Sequence, residues 1–199
     1  MSVTPEMIAA CAYPTGVCDL CWNLSGNATA AAIEVGSIFG SATTVESVWK
    51  WNATGARWAF YAPSMQPQAL ADYAATAGYE VMTAVSGGEG FWLKAKQGFS
   101  VSVPAGQPVD SMGVSRALQP GWNLASTAIN QTPLALASGL GGVTSLWAWD
   151  NALSRWYFYA PSLDSGTALK DYIQSNGYLD FSADGKTLGS GSGFWVNRP

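Results

Sequence analysis

The chain has 199 residues, nine basic and thirteen acidic side chains, a net charge of −4, no histidine, and 48% hydrophobic residues against 11% charged. Nucleic acid is met by clustered Lys and Arg, and the only basic grouping is Lys94 with Lys96, so nucleic acid is not expected as a partner, nor is an anionic membrane surface. No stretch approaches the ~20 apolar residues of a membrane-crossing helix, so membrane insertion is not expected either.

Residues 1–19 read as an arm. Met1 to Tyr13 lacks the basic start, long apolar centre and small-residue cleavage site of a secretory signal. The three cysteines, Cys11, Cys18 and Cys21, are disulfide candidates, and their odd number leaves one thiol unpaired or for a partner chain. Cys18 and Cys21 form a C-x-x-C, which also fits a redox pair or half a metal site. No thioredoxin-like pattern surrounds it and no histidine completes a zinc site, so a structural disulfide is favoured. No metal and no cofactor are expected.

Residues 20–104 read as a first unit. Cys21-Trp22-Asn23-Leu24 opens it as a short strand, followed by a small-residue stretch from Thr29 to Ile38. Val45 to Trp51 is a strand in which Trp49 and Trp51 share a face, because alternate residues point the same way. The turn Asn52 to Ala56 joins it to a second aromatic strand, Arg57 to Ser64, making a β-hairpin. Leu70, Tyr73, Ala74 and Ala77 have helical spacing, and Gly78 sits where a helix-ending glycine belongs. Tyr79 to Val85 resumes as strand, and Gly90-Phe91-Trp92-Leu93 closes the unit. Phe99 to Pro104 then alternates again, and residues 105–119 read as a linker. Either that extra strand joins the two units, or the chain is part of a longer array and an edge is left exposed.

Residues 120–199 repeat the plan. Gly121-Trp122-Asn123-Leu124 opens, Thr132-Pro133 is an N-cap followed by proline for a short helix to Leu140, and Val143 to Trp149 places Trp147 and Trp149 on one face. Asp150 to Ser154 is the turn, and Arg155 to Ser162 nearly repeats Arg57 to Ser64. Leu169, Tyr172 and Ile173 mark the helix, Gly177 its end, Tyr178 to Ser182 a strand, and Gly193-Phe194-Trp195-Val196 the closure. All ten tryptophans thus fall on five positions used twice, at offsets of 98 to 103 residues. The expected fold is α+β: two tandem copies of a small antiparallel β-sheet unit, each of about 85 residues with one or two short helices. The loops Thr83 to Glu89 and Asp180 to Ser192 differ between copies and are where copy-specific function would sit.

The Gly-Trp-Asn-Leu opening, the Trp-Ala-Trp strand and the closure Gly191-Ser192-Gly193-Phe194-Trp195-Val196 resemble a repeat of bacterial secreted and surface proteins, over about four fifths of the chain. Copy one departs by Cys21 in place of the opening glycine and by Leu93 at the close. The resemblance implies an extracellular or cell-surface setting and brings no catalytic residues with it.

Without histidine there is no Ser-His or Cys-His nucleophile and no imidazole base. The charged residues matched between copies, Arg57 with Arg155 and Asp72 with Asp171, suit a structural ion pair or helix-end contact. Gly87-Gly88-Glu89-Gly90 is a turn before a strand, the wrong setting for a phosphate loop. The chain is therefore not expected to be an enzyme. The binding candidates are Trp49, Trp51, Trp147, Trp149, Tyr61 and Tyr159, although any one tryptophan is first expected in the core, where it buries ~200 Å². Two functions follow, of which the first is the expected one, because the best-matched residues look like scaffold, and the second the alternative. One is a non-catalytic extracellular interaction or architectural module, with a protein partner or self-association. The other is a carbohydrate-binding module that stacks polysaccharide on exposed tryptophan.

Overall fold

Aromatic and aliphatic residues alternate along most strands, and that alternation gives each sheet two chemically different faces. The computed structural model describes residues 7–10 and 22–199, so the pairing expected of Cys11, Cys18 and Cys21 lies outside the described residues. The first half forms β1 (Met7–Ala10), β2 (Trp22–Gly26), β3 (Ile33–Glu34), α1 (Val35–Ile38), β4 (Val45–Asn52), β5 (Arg57–Tyr61), α2 (Pro67–Ala77), β6 (Glu80–Val81), β7 (Ala84–Val85), β8 (Gly90–Ala95) and β9 (Phe99–Ser102). The second half forms α3 (Ser111–Ala117), β10 (Gly121–Ser126), α4 (Pro133–Leu140), β11 (Ser145–Asp150), β12 (Arg155–Tyr159), a 3-10 turn at Pro161–Leu163, α5 (Ala168–Asn176) and β13 (Gly193–Arg198).

A five-stranded sheet runs in the order β2-β8-β4-β5-β6, and a four-stranded sheet in the order β10-β13-β11-β12. Their pairings are antiparallel except β5 with β6, which is parallel. A single parallel bridge, Tyr157 to Leu179, stands at the matching edge of the smaller sheet. Strand β1 pairs with β9 and β3 with β7 in two further small sheets.

One face of each large sheet is a conventional core. Val48, Ala59, Phe91, Leu93 and Ala95 pack against Ile33, Val35, Phe39, Met82 and Val85. Ala125, Leu146, Ala148, Phe194 and Val196 pack against Leu136, Leu140, Phe181 and Leu188. Each Val, Leu, Ile, Phe or Met side chain fully buried in this way contributes on the order of 1.5–3 kcal/mol. On the opposite faces smaller clusters sit where the helices cover the sheets: Leu70 of α2 with Phe60 and Ala62, and Ile173 of α5 with Phe158 and Ala160. The rest of those faces carries tryptophan.

The expected α+β fold of two tandem copies is corrected. The chain is mostly β, 36% strand against 24% helix, with several sheets. Its α-helices are short for physical reasons: α2 and α5 stop at Gly78 and Gly177, whose φ of 74° and 70° lies in the left-handed region that glycine enters without a Cβ penalty. Nor are the halves alike or separate. The five-stranded sheet and both two-stranded sheets draw on residues before 105, whereas residues after it contribute the four-stranded sheet alone. The large sheets are stitched together by backbone bridges, Ser25 to Ser192 and Glu89 to Ala125. The Gly26 N–H donates to the Gly191 carbonyl at 3.2 Å, and the Ser126 N–H to the Gly88 carbonyl at 2.8 Å. Glycine makes that approach feasible. A Cβ on Gly193 would strike the Ser25 carbonyl oxygen, one on Gly26 the Ser126 side chain, and one on Gly90 would lie 2.8 Å from the Ala125 carbonyl oxygen. Residues 107–109 are also tied to 28–30, by Ala30 N–H to the Gln107 carbonyl at 2.8 Å and Val109 N–H to the Ala28 carbonyl at 2.9 Å.

Candidate binding site between two tryptophan walls

None of the ten tryptophans is buried; nine are half-buried and Trp122 is 44% exposed. This departs from the expectation that any one tryptophan lies in the core. The cause is their placement: they occupy the faces turned away from the aliphatic cores, toward the other half of the chain.

They assemble into two walls, each built from both halves. Trp22 and Trp92 of the first half join Trp149, Trp156 and Trp147 of the second. Their rings meet edge to face, with centroids 6.1 Å apart for Trp22–Trp92, 5.9 Å for Trp92–Trp149, 5.7 Å for Trp92–Trp156 and 6.3 Å for Trp147–Trp156. Reciprocally, Trp122 and Trp195 of the second half join Trp51, Trp58 and Trp49 of the first, at 6.1 Å for Trp122–Trp195, 6.2 Å for Trp51–Trp195, 5.7 Å for Trp58–Trp195 and 6.4 Å for Trp49–Trp58. Such aromatic pairs, edge to face except the tilted Trp51–Trp195, contribute ~0.5–1.5 kcal/mol each beyond their buried area. Tyr79 abuts Trp49 at 5.1 Å and Tyr178 abuts Trp147 at 5.0 Å. The indole N–H groups hold the rings in place: Trp49 Nε1 donates to Ser47 Oγ at 2.9 Å, Trp147 Nε1 to Ser145 Oγ at 3.1 Å, and Trp51 Nε1 across the halves to the Trp122 carbonyl at 2.9 Å.

Among the described residues no ring of one wall contacts a ring of the other. Between them lie two pockets of about 430 Å³ each, within the ~300–1,000 Å³ span of small-molecule sites. The first is lined by Trp22, Trp49, Trp58, Tyr79, Trp92, Trp149 and Trp156. The second is lined by Trp51, Trp58, Trp122, Trp147, Trp156, Tyr178 and Trp195. The two linings correspond residue for residue when the halves are exchanged. All ten tryptophans take part, and Trp58 and Trp156 line both pockets.

Among the described residues no charged side chain lines either pocket. Lys94 Nζ stands 5.7 Å over the Trp22 ring and pairs with Glu46 at 2.7 Å. Asn197 occupies the matching register position opposite Trp122. Each aromatic pocket adjoins a more polar cleft through one shared tryptophan. Trp149 borders a cleft of about 160 Å³ with Asn23, Ser25, Asn151 and Lys186, in which Asn151 Nδ2 donates to Asn23 Oδ1 at 2.9 Å. Trp51 borders one of about 280 Å³ with Asn52, Thr54, Glu80, Gln119 and Asn123, in which Asn52 Nδ2 donates to Glu80 Oε2 at 2.9 Å.

The six residues singled out from sequence divide. Trp49 and Trp149 line the first pocket, and Trp51 and Trp147 the second, so strand neighbours on one face enter different pockets. Tyr61 and Tyr159 line neither. Tyr61 is half-buried against the first core, and Tyr159 is buried in the second, its hydroxyl donating to Asp164 Oδ2 at 2.8 Å. The sequence reading passed over Trp22, Trp58, Trp92, Trp122, Trp156 and Trp195, although their matched spacing was the available signal. The matched charges stand apart from one another: Arg57 Nε is 3.7 Å from Glu80, Arg155 donates to the Gly177 carbonyl, Asp72 accepts from Gln68, and Asp171 accepts from Thr167. Among the described residues no group of three or more His, Cys, Asp or Glu is placed to hold a metal ion, and no helix is long and apolar enough to cross a membrane.

No protein-family model matches the chain, and no curated protein or solved structure is significantly similar to it.

Proposed function

We propose that this protein is a non-catalytic carbohydrate-binding module of the cell surface or exterior, which stacks sugar rings in its two aromatic pockets. The observation that carries the reading is the location of the tryptophans: all ten stand half-open around uncharged pockets. A large apolar patch open to water marks a binding surface. A sugar ring offers apolar C–H faces and a rim of hydroxyls. Aromatic walls suit the faces, and the polar clefts that meet the pockets at Trp149 and Trp51 suit the rim. A purely apolar ligand would leave those clefts without a role. The surface setting rests on the resemblance to the bacterial repeat.

The test is titration of the native tryptophan fluorescence with a panel of neutral and acidic polysaccharides. A saturable change with at least one neutral glycan is expected, and Trp122→Ala should weaken it about tenfold while lowering Tm by less than about 3 °C, since that ring is exposed and has little packing to lose. A protein inert to every glycan but responsive to a proline-rich peptide, the other ligand that aromatic grooves take, would move the assignment to a protein-interaction module. Concentration-dependent self-association without glycan binding would move it to an architectural one.

A further inference from the structure

We infer that the two pockets are one extended site, spanned by a single uncharged, gluco-configured oligosaccharide rather than filled by two independent ligands. This rests on the carbohydrate reading above and adds the class and length of the ligand.

Three observations carry it. Trp58 and Trp156 line both pockets, so the pockets are neighbours that share the same two indoles. Those two rings belong to opposite walls, Trp58 packed edge to face on Trp195 and Trp156 on Trp92, and among the described residues they make no ring contact with each other. Among the described residues the lining is entirely aromatic, and Lys94, over the Trp22 ring, is paired with Glu46, so the lining offers no free counter-charge to an acidic or amino sugar. Sugars with all-equatorial hydroxyls keep C–H groups on both ring faces, and only such rings can stack on both walls at once.

The exchange relation between the pockets is compatible with a directional chain. A polysaccharide crossing both meets the second pocket in the opposite sense from the first. Hydrogen-bonding subsites would reject one of those senses. Stacking on an aromatic ring does not distinguish them, and the lining of these pockets is aromatic throughout.

Joining two weak subsites through one ligand raises affinity by the effective concentration of the second contact, commonly on the order of 100-fold. The probe is β-1,4-linked glucose, from the disaccharide through the octasaccharide, titrated calorimetrically into the full chain. The expected result is a rise in affinity of about 100-fold along the series, with stoichiometry passing from two ligands per chain for the shortest members to one for the longest. Affinity that stays flat with length, at two ligands per chain throughout, overturns the inference while leaving the carbohydrate reading standing. Binding confined to acidic glycans overturns the ligand class. Absence of binding by every member and by every glycan of the panel overturns both.

Discussion

Asn27 is fully buried, and its side chain is spent on the backbone around it and on the Thr29 hydroxyl. Nδ2 donates to the Ala31 carbonyl at 2.8 Å and the Val85 carbonyl at 3.0 Å, and Oδ1 accepts from the Thr29 N–H and hydroxyl, each at 3.2 Å. Truncating such a group strands several buried partners, so Asn27→Ala should cost about 2–3 kcal/mol, read as a fall in Tm of roughly 5–10 °C. Two tyrosines of the second core make a pH prediction. Burial first, and then the hydrogen bond to Asp184, push the Tyr157 hydroxyl from its ordinary 10.0 up to about 12; burial and Asp164 push Tyr159 the same way. The folded state therefore holds these protons more tightly than the unfolded state. Their stabilisation is fully present below the unfolded value near 10 and is lost as pH climbs through about 12. The urea midpoint should drop between about pH 10 and about pH 12, and drop less in Tyr157→Phe.

At the scale of elements, the two aromatic hairpins turn through a non-glycine residue in the left-handed region, Ala56 at φ 47° and Ser154 at φ 49°. That conformation costs an L-residue about 1–2 kcal/mol relative to glycine. Ala56→Gly and Ser154→Gly should each stabilise the protein by about 1 kcal/mol, a Tm increase of roughly 2–4 °C in thermal melts. The strands of these hairpins were legible in the sequence because aromatic residues at period two have no other economical arrangement. The turn position was not: Gly55 attracts attention, whereas the left-handed residue is its neighbour. Helix α3 was missed inside the stretch 105–119 because its start depends on one capping contact, Asp110 Oδ1 accepting from the Gly113 N–H at 2.8 Å, rather than on an apolar stripe. The site was half legible for a related reason. Alternation assigns Trp49 and Trp51 to a common face, but which pocket each enters is decided by Trp22, Trp92, Trp122 and Trp195. Two of those belong to the other half in every case.

For the whole molecule, the two sheets interlock where glycine lets backbone meet backbone, and each tryptophan wall needs rings from both halves. Local pattern does not encode such an approach. Gly26, Gly90 and Gly193 carry it by lacking a side chain, which is why the sequence suggested tandem units. An interlocked pair should unfold as one. Differential scanning calorimetry is expected to give a single transition whose calorimetric and van't Hoff enthalpies agree; two resolved transitions would mean that the halves are thermodynamically separate.

The exchange of walls also constrains descent. Any change at Trp92 alters a wall made mostly by the second half, any change at Trp195 one made mostly by the first, and any change at Trp58 or Trp156 alters both pockets together. Neither half can change a wall privately or carry a complete pair of walls into another gene. The two are bound to be inherited, and to diverge, as a single unit of selection.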